Sequence, residues 1–330
     1  MEHQHVLQEN GDALALLLWQ ALRDVRLWAD TPPSGRARLF RPAAAPRRRA
    51  QIAAAALPRE VGEPLLTLAA LLSASGAPRP CDAACACLHL HHWLGRTGAR
   101  LSSLSFAEAA ALATPAYALP ALAAGQAAAR AGLDGPATAW LRRAVGLARQ
   151  GREWETFAAA LVALGHHLRE TDPAEAHDCF RQALRACRRY RIAAPAVRGG
   201  AWHGLFHLAR EHDPAGASAH ARRALRAYGP SPERRRVLHD YAVWWREQGR
   251  PVHAVALLRR LAPQRDSAGE RLESWTAMAE AAADAAMERW FARAWSEAWR
   301  LLRALGREAH AGIAGRLCAA EARLRARGAA

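Results

Sequence analysis

The chain has 330 residues, 51% of them apolar and 23% charged, a balance that allows a sizeable core and excludes a disordered segment. Ala, Leu and Arg dominate while β-branched and aromatic runs are scarce, which excludes a strand-rich fold and predicts an all-α one. The formal charge is +16, from 46 basic side chains against 30 acidic ones; all 46 are arginine and lysine is absent. So complete a replacement points to a GC-rich coding bias, so part of the basicity reflects composition, although a charge of this size still favours encounters with acidic surfaces or nucleic acid.

Six cysteines (81, 85, 87, 179, 187, 318) are too few for a disulfide scaffold and fall inside helical patterns, where Cys packs as a small hydrophobe. That usage fits a reducing compartment. The opening Met-Glu-His-Gln-His lacks a basic n-region, and the apolar stretch Ala13 to Leu18 soon meets Arg23, Asp24 and Arg26. The expectation is a cytoplasmic protein with no membrane span.

In chain order, residues 12–29 predict a first helix carrying Trp19 and Trp28, and the Pro- and Arg-rich stretch from about 31 to 49 reads as a flexible basic connector. Helical patterns resume at about 50–57 and 61–74, and Pro78 and Pro80 then break the chain. This places an N-terminal helical region over 1–78 and a second region over 79–330. In the second region, 82–94 and 103–113 read as a degenerate helix pair.

After that pair the sequence repeats itself. Ala137, Ala176, Ala217 and Ala254, spaced 39, 41 and 37 residues apart, each open a helix after a turn segment: Asp134-Gly-Pro, Asp172-Pro-Ala-Glu, Asp213-Pro-Ala-Gly and Gly249-Arg-Pro-Val-His. Apolar side chains follow on one helical face, as in Cys179, Phe180, Ala183 and Leu184. Before each of the last three anchors lies another helix, carrying Leu161, Leu164 and Gly165; Trp202, Leu205 and Phe206; and Leu238, Tyr241, Ala242 and Trp245. A further pair reads over 273–286 and 288–305. The last helix, about 308–327, carries Ile313, Leu317, Ala320 and Leu324 at helical spacing and reads as a cap.

The first helices show large-x2-large-small spacing, and Ala176, Phe180 and Ala183 show small-x3-large-x2-small. On these residues the chain resembles the tetratricopeptide repeat family over about residues 82–304. Its spacings exceed that family's 34, so longer helices or another helical-pair solenoid also fit. The resemblance implies a right-handed α-solenoid of helical hairpins with an N-terminal helical extension, and a concave face suited to a protein partner. It also implies that the first helices line that face with Gln126 and Arg130; His166 and Arg169; His203, His207 and Arg210; and Arg236, His239 and Arg246. Arg forks match carboxylate or phosphate, so an acidic protein segment is the expected ligand. The Lys and Asn residues with which some family members clamp a C-terminal carboxylate are absent from these positions.

Other chemistry is sparse. Cys85, His89 and His92 share one helical face and have metal-ligating side chains, but a tetrahedral site usually draws on two elements and no second pair is evident nearby, so packing explains them as well. No Gly-rich phosphate loop, G-x-S-x-G or H-E-x-x-H occurs, so neither an enzyme nor a cofactor is expected. Trp140, Trp202, Trp245, Trp295 and Trp299 fall on packing stripes, which leaves Trp244 as the candidate exposed contact. The Arg runs 47–49 and 234–236 could touch phosphates or simply be solvated. The leading reading is a non-catalytic scaffold, adaptor or regulator; a nucleic-acid-associated repeat protein and a ligand- or peptide-sensing regulator are the alternatives.

Overall fold

The computed structural model describes residues 4–73, 78–306 and 310–328, and among them there is no strand. The chain forms two compact units, residues 1–193 and 194–330. In the first unit α1 (Gln4–Glu9), α2 (Asp12–Asp30), α3 (Pro33–Leu39), α4 (Ala44–Ala54) and α5 (Arg59–Ala69) precede three helical hairpins. These pair α6 (Pro80–Thr97) with α7 (Arg100–Ala113), α8 (Ala118–Arg130) with α9 (Asp134–Gln150), and α10 (Trp154–Leu168) with α11 (Pro173–Arg189). The N-terminal helices belong to this unit because Leu18, Leu22 and Val25 of α2, Val61, Leu65 and Leu68 of α5, and Leu90 and Leu94 of α6 share one core.

The second unit pairs α12 (Pro195–Ala209) with α13 (Pro214–Tyr228), α14 (Pro232–Glu247) with α15 (Pro251–Leu261), and α16 (Ala268–Asp284) with α17 (Glu288–Leu305). Then α18 (Ala311–Gly328) packs on α16 with Ile313, Leu317 and Ala320 buried. The expected start of that helix at 308, and residue 74 at the end of the expected helix 61–74, lie outside the described residues. Hairpins stack on their neighbours within each unit, which is the helical-pair solenoid arrangement the repeats imply.

What lets the helices of a hairpin approach is a small residue facing a large one. A Cβ on Gly125 would meet Leu141 at 2.6 Å, and one on Gly165 would meet Phe180 at 2.8 Å. In the next hairpin the sizes exchange: Phe206 takes the place of Gly165 and Ala221 the place of Phe180, and both are fully buried in one cluster. Ala242 and Leu258 restore the original order in the hairpin after that. A large residue thus faces a small one at each of these four crossings, while the bulky partner changes helix.

Helix starts follow from local chemistry. Pro173, Pro214 and Pro232 occupy the first helical position, where a missing N–H costs nothing, and Asp172, Asp213 and Ser231 before them accept from the N–H of Glu175, Gly216 and Arg234. Replacing Asp172 by Ala should destabilise the first unit by about 1 kcal/mol, measurable as a lower urea midpoint at unchanged m-value.

Two expectations change. The stretch 31–49 is not an open connector but carries α3 and the start of α4. Arg36 stacks on the Trp28 ring at 3.9 Å and donates to the carbonyls of Trp28 and Thr31, while Arg48 reaches the buried carboxylate of Asp24 at 3.4 Å. Two of its arginines are therefore structural, whereas Arg47 and Arg49 are exposed. The tryptophan pair is also reversed, with Trp244 buried and Trp245 half-buried. The Trp244 indole donates to the Arg210 carbonyl at 3.2 Å and stacks on Tyr241, and Trp245 lies flat against His253.

Candidate functional site

Repeat geometry places polar residues one repeat apart against each other on successive first helices. In the second unit His203 and His207, one turn apart on α12, both face Asp240 of α14. His203 Nε2 lies 2.8 Å and His207 Nε2 3.3 Å from Asp240 Oδ2, and the two Nε2 atoms are 3.0 Å apart. One turn further on, Arg210 binds Glu247 at 2.6 Å. His203–Asp240 and Arg210–Glu247 are both 37 residues apart, so the same register shift makes both pairs.

The ladder continues along the unit. His239 Nδ1 is 3.1 Å from Ser274 Oγ, Arg246 pairs with Glu280 and at 3.5 Å with Asp284, and Arg316 of α18 reaches Glu280 at 2.9 Å and Glu273 at 3.0 Å. Burial pushes the Asp240 carboxyl upward, but hydrogen bonds from His203 and His207 outweigh it and hold the group well below the usual carboxylate range. Glu280 follows the same pattern: burial raises it, and Arg316 and Arg246 bring it below its ordinary value. Burial lowers His239. Of the expected groove residues in this unit, only Arg236 is fully exposed; Arg210 and Arg246 already have carboxylate partners.

In the first unit Gln126 and Arg130 of α8 are exposed, Arg169 is partly exposed beside Glu170, and His166 is half-buried edge-on to Phe180 at 5.0 Å. Arg130 reaches 3.4 Å from Nε2 of the buried His91, whose Nδ1 lies 2.9 Å from the Ser103 carbonyl. Burial pushes the His91 imidazole down to about 4, so it is neutral, with Nδ1–H donating to Ser103 and Nε2 accepting from Arg130.

Cys85, His89 and His92 are exposed on α6 and line one cavity of about 990 Å³ with Glu60 and Glu63 of α5. Their ligand atoms do not converge. Among the described residues, the set of three His, Cys or carboxylate groups whose ligand atoms lie within 4.8 Å of one another is His203, His207 and Asp240. Asp240, Glu247 and Glu280 are absent from the sequence-based site. The signal available for them was the one-repeat offset: an Asp 37 residues after a His of an H-x3-H pair lies on the next first helix in equivalent register.

No protein-family model and no curated protein sequence matches the chain. Among solved structures it is similar to the crystal structure of Rap protein complexed with competence and sporulation factor. That match has 11% sequence identity and a TM-score of 0.51, and covers 93% of this chain and 99% of that one. At such identity the likeness is one of fold, an all-helical repeat array. Among the described residues no helix is long and apolar enough to cross a membrane.

Proposed function

We propose that this chain is a non-catalytic regulatory or adaptor protein, and that the first helices of the hairpins in each unit bind acidic segments of a protein partner. The observation that carries the reading is the sorting of arginines on those helices. In the second unit Arg210 and Arg246 are neutralised by Glu247 and by Glu280 with Asp284, leaving Arg236 exposed. In the first unit Gln126 is open to solvent, Arg130 is exposed with one guanidinium nitrogen on His91, and among the described residues Arg169 pairs with the exposed Glu170, an ion pair of small worth. Carboxylates of a partner therefore have arginine forks to bind without displacing an internal carboxylate that is already buried against them. The structural neighbour, a Rap protein complexed with competence and sporulation factor, supports a binding role for this kind of fold.

The test is capture of partners from the native lysate on the tagged full chain, with nuclease treatment and a salt-elution profile. A discrete nuclease-resistant protein is expected. Its recovery should fall at least about tenfold when Arg130 and Arg169 are both changed to Glu, and separately when Arg236 is changed to Glu. Unchanged capture by the charge-reversed chains would remove this reading. Release of all bound material by nuclease, with steep salt dependence, would put a nucleic-acid partner in its place.

A further inference from the structure

Hydrogen bonds from His203 and His207 to Asp240 do not by themselves require the two Nε2 atoms to approach each other to 3.0 Å. Three heavy atoms, Nε2, Nε2 and Oδ2, sit at mutual separations of 2.8, 3.0 and 3.3 Å. Were both imidazoles to carry a proton on Nε2, two N–H groups would point into the same small space. With a proton on only one of them, two nitrogens and a carboxylate oxygen share a single hydrogen. A cation resolves either arrangement. A point ~1 Å off the plane of the three atoms lies about 2 Å from all of them, which is the Zn–N and Zn–O bond length.

From this geometry we infer that the second unit holds a divalent transition-metal ion of the zinc class on His203 Nε2, His207 Nε2 and Asp240 Oδ2. Two imidazoles with one carboxylate are a borderline donor set suited to such ions, whereas calcium and magnesium select all-oxygen ligands. The scaffold is rigid enough to hold it. Both histidines lie one turn apart on α12, the carboxylate comes from the stacked helix α14, and Phe206 packs beside both rings with centroids at 6.2 and 5.2 Å. Arg210, one turn beyond His207, is neutralised by Glu247 and adds little repulsion to a bound cation. Three protein ligands leave at least one coordination position for water or another exchangeable donor. The ion also cross-links two hairpins, so its binding should stabilise the unit.

The inference is independent of the partner groove, and its test needs no partner. The chelator-stripped full chain is titrated with zinc against a competing metal indicator, and cobalt(II) is added separately to record its visible spectrum. One tight equivalent of zinc is expected, weakened on the order of 100-fold or more by His207→Ala or Asp240→Asn, and unchanged by Cys85→Ser combined with His89→Ala. The unsubstituted chain should give cobalt d–d bands without thiolate charge transfer, a readout that does not depend on any variant folding. Absence of a tight equivalent, its survival in His207→Ala, or a thiolate band that disappears with Cys85 would each overturn the assignment.

Discussion

Replacing Phe206 by Ala should lower the unfolding free energy of the second unit by about 3–5 kcal/mol. The ring is fully buried, stacks on His203 and meets Tyr241 and Trp244 edge-on at 6.2 Å. Its hairpin partner at the crossing is Ala221, too small to fill the space, and Ala217 beside it is equally small. The neighbouring hairpins solve the same volume in reverse, with Gly165 under Phe180 and Ala242 under Leu258. Moving the bulk to the other helix should therefore restore part of the loss. In a denaturant series, Ala221→Leu alone should destabilise by overpacking, by about 1–3 kcal/mol, yet stabilise the Phe206→Ala background. Additive effects of the two changes would mean that the crossing does not conserve volume and that the size exchange is coincidental.

That exchange also shows where the sequence was legible and where it was not. The hairpins could be read because Ala137, Ala176, Ala217 and Ala254 are small residues fixed at each helix crossing, and all four are fully buried. The caps could be read as well, because Asp-Pro is a local signal. Side-chain direction was harder. Trp244 and Trp245 are adjacent, and a few tens of degrees of helix rotation decides which enters the core; the hydrogen bond from Trp244 to the Arg210 carbonyl settles it. The helices within 31–49 were hidden because composition marks Pro and Arg as breaking and solvated. Pro33 instead starts a helix, and the arginines are held by Trp28 and Asp24, partners on another helix that no local window includes. Asp240 was missed for a related reason: it lies 37 residues after His203, and only the repeat offset brings the two together.

The stability of the first unit should fall as pH drops from about 6.5 towards 4, and His91 should account for about 3 kcal/mol of the fall. Only 2% of the residue is exposed, in a site that supplies an acceptor for one ring proton and a cation for the other nitrogen. Burial is the main cause of the lowered value of about 4, against an ordinary 6.5; the Ser103 hydrogen bond opposes it, and His92 and Arg130 add repulsion. The sign follows from which state takes up the proton first. Between those two values the unfolded chain binds a proton that the folded chain refuses, so the contribution is complete above 6.5 and is lost as pH falls through the folded value. Arg130 makes the refusal geometric as well as electrostatic, since a proton on Nε2 would face a guanidinium N–H 3.4 Å away. Urea titrations at several pH values, on the native chain and on His91→Gln, isolate the residue from the other histidines. The native chain should lose more stability than the variant on acidification, and the two curves should differ in slope between pH 6.5 and 4. Parallel curves would show that the His91 site tolerates the charged imidazole, and that Arg130 turns away from it when the ring is protonated.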